Sequence, residues 1–535
     1  MSDHVLLRPA LTAAVLGLAA AAAAPAAAVY AQEHPGKPIY DRWCAECHGV
    51  EGRGDGPAAA HMLPRPRDFT QARYQIRTTA TGALPTDDDI LYIIQNGMPG
   101  TAMPGWPKLS RNEQSQLVAY LKTMSRFFES EAAPTPISIG RAPSGGDDAI
   151  EEGRQLYNQL ECWKCHGQAG RGDGTSAPTQ EDDGGMPIRP ADLSKNWLFN
   201  GGGTVQDIYM RLRTGLDGTP MPSSSDLIDA NVVTEAQLWN VAHYVRSLSP
   251  ERTPVPREVI RAVLRVGELP SAADDEDWAD IPAAFIPLVG QVIEPPRWAV
   301  PTVRAVWVQA AHNGEEVVVR LVWNDPSRSP DPAWDEWRSR IAAVMEPQEA
   351  PPAEGPLHDA FAVQFAAGPT SGRDLPYFLM GDARVPVHLW HWQSDNTITE
   401  RLARGLDRME TLPGSGGVSG GATFEDGQWR LVLRRPLVPG DSAGRPSFRV
   451  GDPIPIAFYA WDGSNGEAGK RVAIGSWYFL FLEQPVTARV YVVPLVTVLI
   501  TALLGLGAVR VAQSEPLPED SADTAPLPAA AALEP

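Results

Sequence analysis

Cysteine is scarce in this chain of 535 residues: there are four, in two close pairs at 44 and 47 and at 162 and 165. That scarcity excludes a disulfide-stapled scaffold, and once both pairs are used no thiol is left for an iron–sulfur cluster. Lysine is nearly as rare. There are six lysines among the 45 basic residues, and after Lys195 the only one is Lys470. Positive charge is short overall, with a formal net charge of −20, which argues against nucleic acid and against adhesion to anionic lipid and suits either a basic docking partner or a salty or high-GC host. Long apolar runs are confined to the two ends.

Each cysteine pair is followed directly by histidine, as Cys44-Ala-Glu-Cys47-His48 and Cys162-Trp-Lys-Cys165-His166. This is the spacing of a c-type haem attachment site. One turn of helix presents both thiols to two vinyl groups, and the adjacent histidine swings under the iron as proximal ligand. A four-cysteine zinc site or two redox dithiols would use the same pairs. Neither needs histidine after both, and the glycine-rich, polar surroundings do not read as the strand-to-helix junction of a dithiol motif.

An internal repeat strengthens the reading. A shift of 118 lays Cys44 on Cys162, His48 on His166, Gly52-Arg-Gly-Asp-Gly56 on Gly170-Arg-Gly-Asp-Gly174 and Asp89-Ile90 on Asp207-Ile208. Met103 then falls on Met221, each inside a Gly-Thr-x-Met-Pro phrase and each 55 residues after its histidine (103 − 48 and 221 − 166). At this constant shift Met62, Met98 and Met124 meet Gln180, Leu216 and Ala242, while Met186 and Met210 meet Asp68 and Tyr92. Met103 and Met221 are therefore the expected distal ligands, and His/Met ligation favours the reduced iron and a relatively high potential.

Helix signals recur in both copies. Thr86 with Asp89 opens the apolar stretch Ile90 to Ile94, and Ser110 with Glu113 reads as a capping box ahead of Leu117, Val118, Tyr120 and Leu121. Val205 to Leu212 and Thr234 to Leu248 answer in the second copy. With these motifs the segments 36–128 and 150–250 resemble two tandem class I cytochrome c domains in compact, loop-trimmed form.

The flanks suggest a location. Residues 1–31 carry Arg8, a long alanine and leucine core and Val29-Tyr30-Ala31 before Gln32, the pattern of a signal peptide. Val490 to Val509 is an uncharged, mostly apolar run between Arg489 and Arg510, and at 1.5 Å per residue its twenty residues reach roughly 30 Å, one bilayer core. The expectation is an extracytoplasmic, periplasmic protein held by one C-terminal transmembrane helix. Residues 513–535, acidic and rich in Pro and Ala, are expected to be a disordered tail.

Between Pro256 and the apolar run, residues 255–485 read as all-β. Alternation over Val303 to Ala311 and Glu316 to Trp323 around Asn313-Gly314 predicts a hairpin. Further strands are expected at Ala360 to Phe365, Val385 to Trp392, Trp429 to Leu433, Ile454 to Trp461 and Ser476 to Leu482. Short strands with Gly and Pro punctuation point to a β-sandwich. The expected fold class is thus multidomain: two all-α cytochrome c domains, an all-β sandwich and one transmembrane helix.

Three phrases here resemble the haem-binding subunit of ethylbenzene dehydrogenase and its relatives, the third subunits of periplasmic molybdenum oxidoreductases. They are Val322-Trp-Asn-Asp-Pro326, Met380-Gly381 followed by Val387-His-Leu-Trp-His-Trp392, and Trp461-Asp-Gly-Ser-Asn-Gly-Glu467 running through Lys470 to Trp477. The resemblance implies one non-covalent haem b between Met380 and Lys470, beside two covalent haem c, and redox partners in which molybdenum and iron–sulfur centres sit on other subunits. It also implies an electron-transfer subunit rather than a catalyst. A lysine ligand must be a neutral amine, so its ordinary pKa near 10.4 has to be overcome by burial and the iron's charge. His388 and His391 are rival ligands, and alternation along a strand puts them on opposite faces. The alternative is a haem-free sandwich resembling family-9 carbohydrate-binding modules, attached to a dihaem outlet as a binding or docking module.

Overall fold

The computed structural model describes residues 33–345, 355–368, 375–485 and 488–514. The expected signal peptide lies outside the described residues. So does the expected tail, except Gln513 and Ser514, which end the C-terminal helix.

Two helical domains come first. Helices Lys37–Trp43, Asp87–Asn96 and Arg111–Thr123 frame one, and Asp147–Gln159, Val205–Thr214 and Glu235–Ser247 frame the other. Reciprocal capping boxes start four of these helices, Thr86 with Asp89, Ser110 with Glu113, Thr204 with Asp207 and Thr234 with Gln237, each satisfying N–H groups that a helix start leaves without partners. Their apolar stripes meet around Tyr40, Ile90 and Leu117 in the first domain and around Tyr157, Ile208 and Leu238 in the second. The opening helix packs tightly on the last: a Cβ at Gly153 would lie 2.0 Å from the Asn240 carbonyl oxygen, and one at Gly36 would meet Gln116 in the same way.

The repeat does not keep one shift. The amide of Phe69 donates to the Gly52 carbonyl as Leu193 does to Gly170, so here the offset is 124 (193 − 69), six more than 118. It returns to 118 at the third capping box (204 − 86) and is again 124 at the fourth (234 − 110). Met124 consequently matches Leu248 rather than Ala242, since both lie against the first glycine of the repeated loop. Met186 belongs to an inserted turn in which Asp182 Oδ1 accepts from the Met186 amide. Insertions balanced by deletions are invisible to a single sliding shift.

In the β domain, one continuous sheet runs in the order Ser419–Glu425, Gln428–Pro436, Glu316–Asn324, Ala305–His312, Val259–Leu264, Tyr478–Leu482, Pro453–Trp461, Ala360–Ala366, Val387–Gln393, Ile398–Ala403, Met409–Thr411. Pairing is antiparallel except that Val259–Leu264 is parallel to both neighbours. Glu316–Asn324 and Ala360–Ala366 stand five strands apart in this order, roughly 24 Å in a flat sheet. Yet Trp323 and Phe361 have ring centroids 4.7 Å apart, and Trp323 lies 5.8 Å from Trp392. The sheet therefore folds over on itself as a sandwich, closed around Trp323, Phe361, Trp390, Trp392, Trp429 and Phe458. A second apolar layer covers the outer face of one half, with Met380, Leu389, Leu406, Tyr459 and Val472.

Helix Arg489–Ser514 follows, with a mean hydropathy of 2.5 over its most apolar window and no buried residue. It is the one described helix long and apolar enough to cross a membrane.

Candidate haem sites

In each helical domain the Cys-x-x-Cys-His segment is a single short turn, Ala45–His48 after Cys44 and Trp163–His166 after Cys162. The repeated glycine loop wraps its end. Gly54 and Gly56 donate to the carbonyls of His48 and Cys47, and Gly172 and Gly174 to those of His166 and Cys165. Glycine is required because Gly52, Gly54, Gly170 and Gly172 have φ between 73° and 77°, and because a Cβ at Gly56 would lie 2.4 Å from the Glu46 carbonyl oxygen. A buried tyrosine closes the same turn: Tyr40 Oη donates to Gly49 O and Tyr157 Oη to Gly167 O, both at 2.6 Å.

These contacts fix the histidines. His48 Nδ1 lies 2.9 Å from Arg67 O and His166 Nδ1 3.0 Å from Ala191 O. A carbonyl can only accept, so Nδ1 carries the proton and Nε2 is left with its lone pair for a metal. Burial pushes both imidazoles below their ordinary pKa, favouring that neutral form. It pushes the Cys44 thiol up to about 12 and the Cys162 thiol up to about 11, and the four cysteines are unpaired. Free thiols beside a lone-pair nitrogen form a donor set that fits covalent haem.

The Gly-Thr-x-Met-Pro phrase is a built loop. Thr101 Oγ1 donates to Met98 O and accepts from the Met103 amide, and Thr219 Oγ1 does the same between Leu216 and Met221. In the second domain a cavity of about 790 Å³ is lined by Cys162, Cys165 and His166 together with Met221. All three folded domains wall it: Ile76 and Gly100 belong to the first, and Arg304, Asn324 and Trp337 to the β domain.

The contacts between domains converge on this region. Arg77, fully buried in the first domain, donates to Thr214 O at 2.9 Å and pairs with Asp217 at 2.7 Å in the second. Arg211 returns a bond to Arg77 O at 2.6 Å. From the β domain, Arg304 donates to Gly100 O in the Met103 loop, and Asn324 donates to Asp192 Oδ2 at 2.8 Å, next to the carbonyl that orients His166. Conversely, a Cβ at Gly218 in the Met221 loop would lie 3.3 Å from Arg67, whose carbonyl orients His48. None of these arginines stood out in the sequence, because a buried arginine that bonds carbonyls leaves no motif. The phrase Val322 to Pro326 did, and part of its role is this contact.

Met380 is fully buried on the outer face, in a left-handed backbone (φ 59°) whose amide faces Tyr459 Oη at 3.4 Å. Lys470 Nζ, by contrast, pairs with Glu294 at 3.1 Å and Asp407 at 3.5 Å, and hydrogen bonding to Glu294 raises its pKa. The two histidines of the strand do point to opposite faces. His388 lies with Trp390 and Trp392 inside the sandwich, 3.3 Å from Glu400. His391 lies on the Met380 face beside Trp461, its Nδ1 buried without a hydrogen-bond partner and its pKa pushed down by burial to about 3.

Comparison with known proteins follows these divisions. The family model for cytochrome c matches residues 34–125 and 150–249, and that for ethylbenzene dehydrogenase matches 275–411. The chain thus carries two cytochrome c domains ahead of an ethylbenzene dehydrogenase domain. It is 28% identical over 209 residues to a Haloferax mediterranei protein named "Putative respiratory nitrate reductase heme subunit ORF7", covering 39% of this chain and 67% of that one. It is 32% identical over 173 residues to the chlorate reductase subunit gamma of Ideonella dechloratans, covering 32% of this chain and 62% of that one. The chain therefore spans under two thirds of the chlorate reductase subunit. To cytochrome c-554(547) of Halothiobacillus neapolitanus it is 33% identical over 91 residues, 17% of this chain and 92% of that one.

Proposed function

The chain belongs to the cytochrome c family, and from that premise we propose that it is a membrane-anchored relay carrying two haem c and one haem b, which passes electrons between a molybdenum oxidoreductase and a respiratory chain. The observation that supports it best is the placing of the second cavity, walled by all three domains. Each bound haem would supply a one-electron ferric/ferrous couple.

In this reading Cys44 and Cys47 hold one haem c, with His48 and Met103 on its iron. Cys162 and Cys165 hold the other, with His166 and Met221. The carbonyls of Arg67 and Ala191 keep the histidine rings oriented, and the threonine-braced loops present the methionines. The cross-contacts of Arg67 with Gly218 and of Gly100 with the second cavity keep the two centres adjacent, so transfer needs no diffusing carrier. The subunit names of two of the relatives support a reductase partner, and the net charge of −20 suits a basic docking face. The helix Arg489–Ser514 tethers the relay to the extracytoplasmic side of a membrane.

For haem b, Met380 and Lys470 are the proposed ligands. Ligation asks the two carboxylates to release Lys470 as a neutral amine. His391 is a second reading for that position, favoured by its neutral ring and unpartnered Nδ1 on the same face. Acid–acetone extraction, which removes haem b and leaves haem c, decides between them. The expected result is one extractable haem per wild-type chain, lost in Lys470→Ala and retained in His391→Ala. Retention in Lys470→Ala with loss in His391→Ala would move the ligand to the histidine. No extractable haem in the wild type would leave a haem-free docking module.

A further inference from the structure

Where the β domain meets the second cytochrome c domain, three strand ends bring together three aspartates that the relay does not use. Asp325 follows the strand Glu316–Asn324, Asp359 precedes Ala360–Ala366 and Asp462 follows Pro453–Trp461. All three are fully buried, and one carboxylate oxygen from each lies within 4.8 Å of the others. Carboxylates brought so close in a dry interior repel one another, and each is costly to desolvate.

Their partners compensate this unevenly. Asp359 accepts from the Ser329 and Gly463 amides and from Trp429 Nε1. Asp462 accepts from the Ser464 and Asn465 amides and meets Arg189 of the second domain at 3.4 Å. Asp325 Oδ1 accepts from the Ser327 amide at 3.2 Å, whereas its Oδ2 is buried with no hydrogen-bond partner. This unpartnered oxygen belongs to a carboxylate that brings one oxygen within 4.8 Å of both other aspartates.

We propose that Asp325, Asp359 and Asp462 bind one calcium ion, which locks the three strand ends beneath the second haem cavity. All-oxygen, hard, anionic donors suit calcium, which takes roughly six to eight oxygens in flexible geometry. The Ser329 and Ser464 hydroxyls, bonded to each other at 2.7 Å, add neutral oxygens to the same pocket. The ion's position matters because Arg189 and Asn465 reach from this cluster to the cavity wall. Calcium would hold that wall rigid by neutralising the cluster on which Arg189 rests.

The test uses the full-length holoprotein, desalted after purification in calcium and analysed for metals by mass spectrometry. The expected result is one calcium per chain, removed by a chelator with a fall in melting temperature that calcium restores and an equal ionic strength of sodium chloride does not. Asp325→Asn, which preserves shape, should retain both covalent haems yet no calcium. Because wild-type protein is compared with itself, a misfolded variant does not decide the matter. Absence of stoichiometric calcium together with an unchanged melting temperature after chelation would overturn the proposal, as would undiminished calcium in Asp325→Asn.

Discussion

Replacing both thiols of the second motif, Cys162→Ser with Cys165→Ser, is expected to remove one of two covalent haems and to loosen the docking of all three domains. The corresponding change at Cys44 and Cys47 should cost its own haem with less effect elsewhere. The asymmetry follows from the cavity of about 790 Å³, whose wall draws on Ile76 and Gly100 from one side and on Arg304 and Trp337 from another. Emptying a space of that size removes packing that collapse cannot recover, at a cost on the order of several kcal/mol. The second haem domain covers residues 150–249, a size at which each kcal/mol corresponds to about 4–8 °C, so a fall of at least roughly 10 °C in its calorimetric transition is expected. Equal shifts from the two double variants would show that the cavity is not shared.

Arg77→Ala should separate the two cytochrome c domains. The guanidinium is fully buried and donates to Tyr74 O, Thr214 O and Ala80 O while pairing with Asp217. Truncating one partner of a buried charged network costs about 3–5 kcal/mol, because the groups left behind lose both solvent and partner. Asp217 is 17% exposed in its side chain and recovers some hydration, which puts the expectation at the lower end. Chemical denaturation checks the stability. A proteolytic cut at the linker between the two domains, faster in the variant than in the wild type, checks the separation. Arg77→Lys should recover little, since one ammonium cannot span donors arranged for a planar fork.

How far the fold could be read in advance depended on the range of the interaction. Local rules were legible: the capping pairs at Thr86, Ser110, Thr204 and Thr234 announce helices, and Asn313-Gly314 joins strands whose pairing sets Trp307 opposite Val322. Strand alternation placed His388 and His391 on different faces, as observed. Less was readable where weak patterns meet long-range pairing. The parallel strand Val259–Leu264 gains its place from Ala305–His312 and Tyr478–Leu482, far along the chain. Ser419–Glu425, with two glycines and a mostly exposed face, carries little apolar alternation.

The sites divide in the same way. Cys44, Cys47 and His48 with their repeat are legible because covalent chemistry fixes their spacing. Lys470 attracted notice by its isolation in the sequence, and the structure adds the two carboxylates that hold it. Asp325 and Asp462 were visible inside phrases that carried the family resemblance, but their convergence with Asp359 is a property of three strand ends. No spacing along the chain encodes it.

Injecting an electron photochemically into the detergent-solubilised holoprotein, and following the haem bands in time, shows whether the haems of one chain form a relay. The electron is expected to redistribute among the chain's haems at a rate independent of protein concentration, and Arg77→Ala to slow this phase. A redistribution rate proportional to protein concentration would mean transfer between molecules, and would contradict the relay.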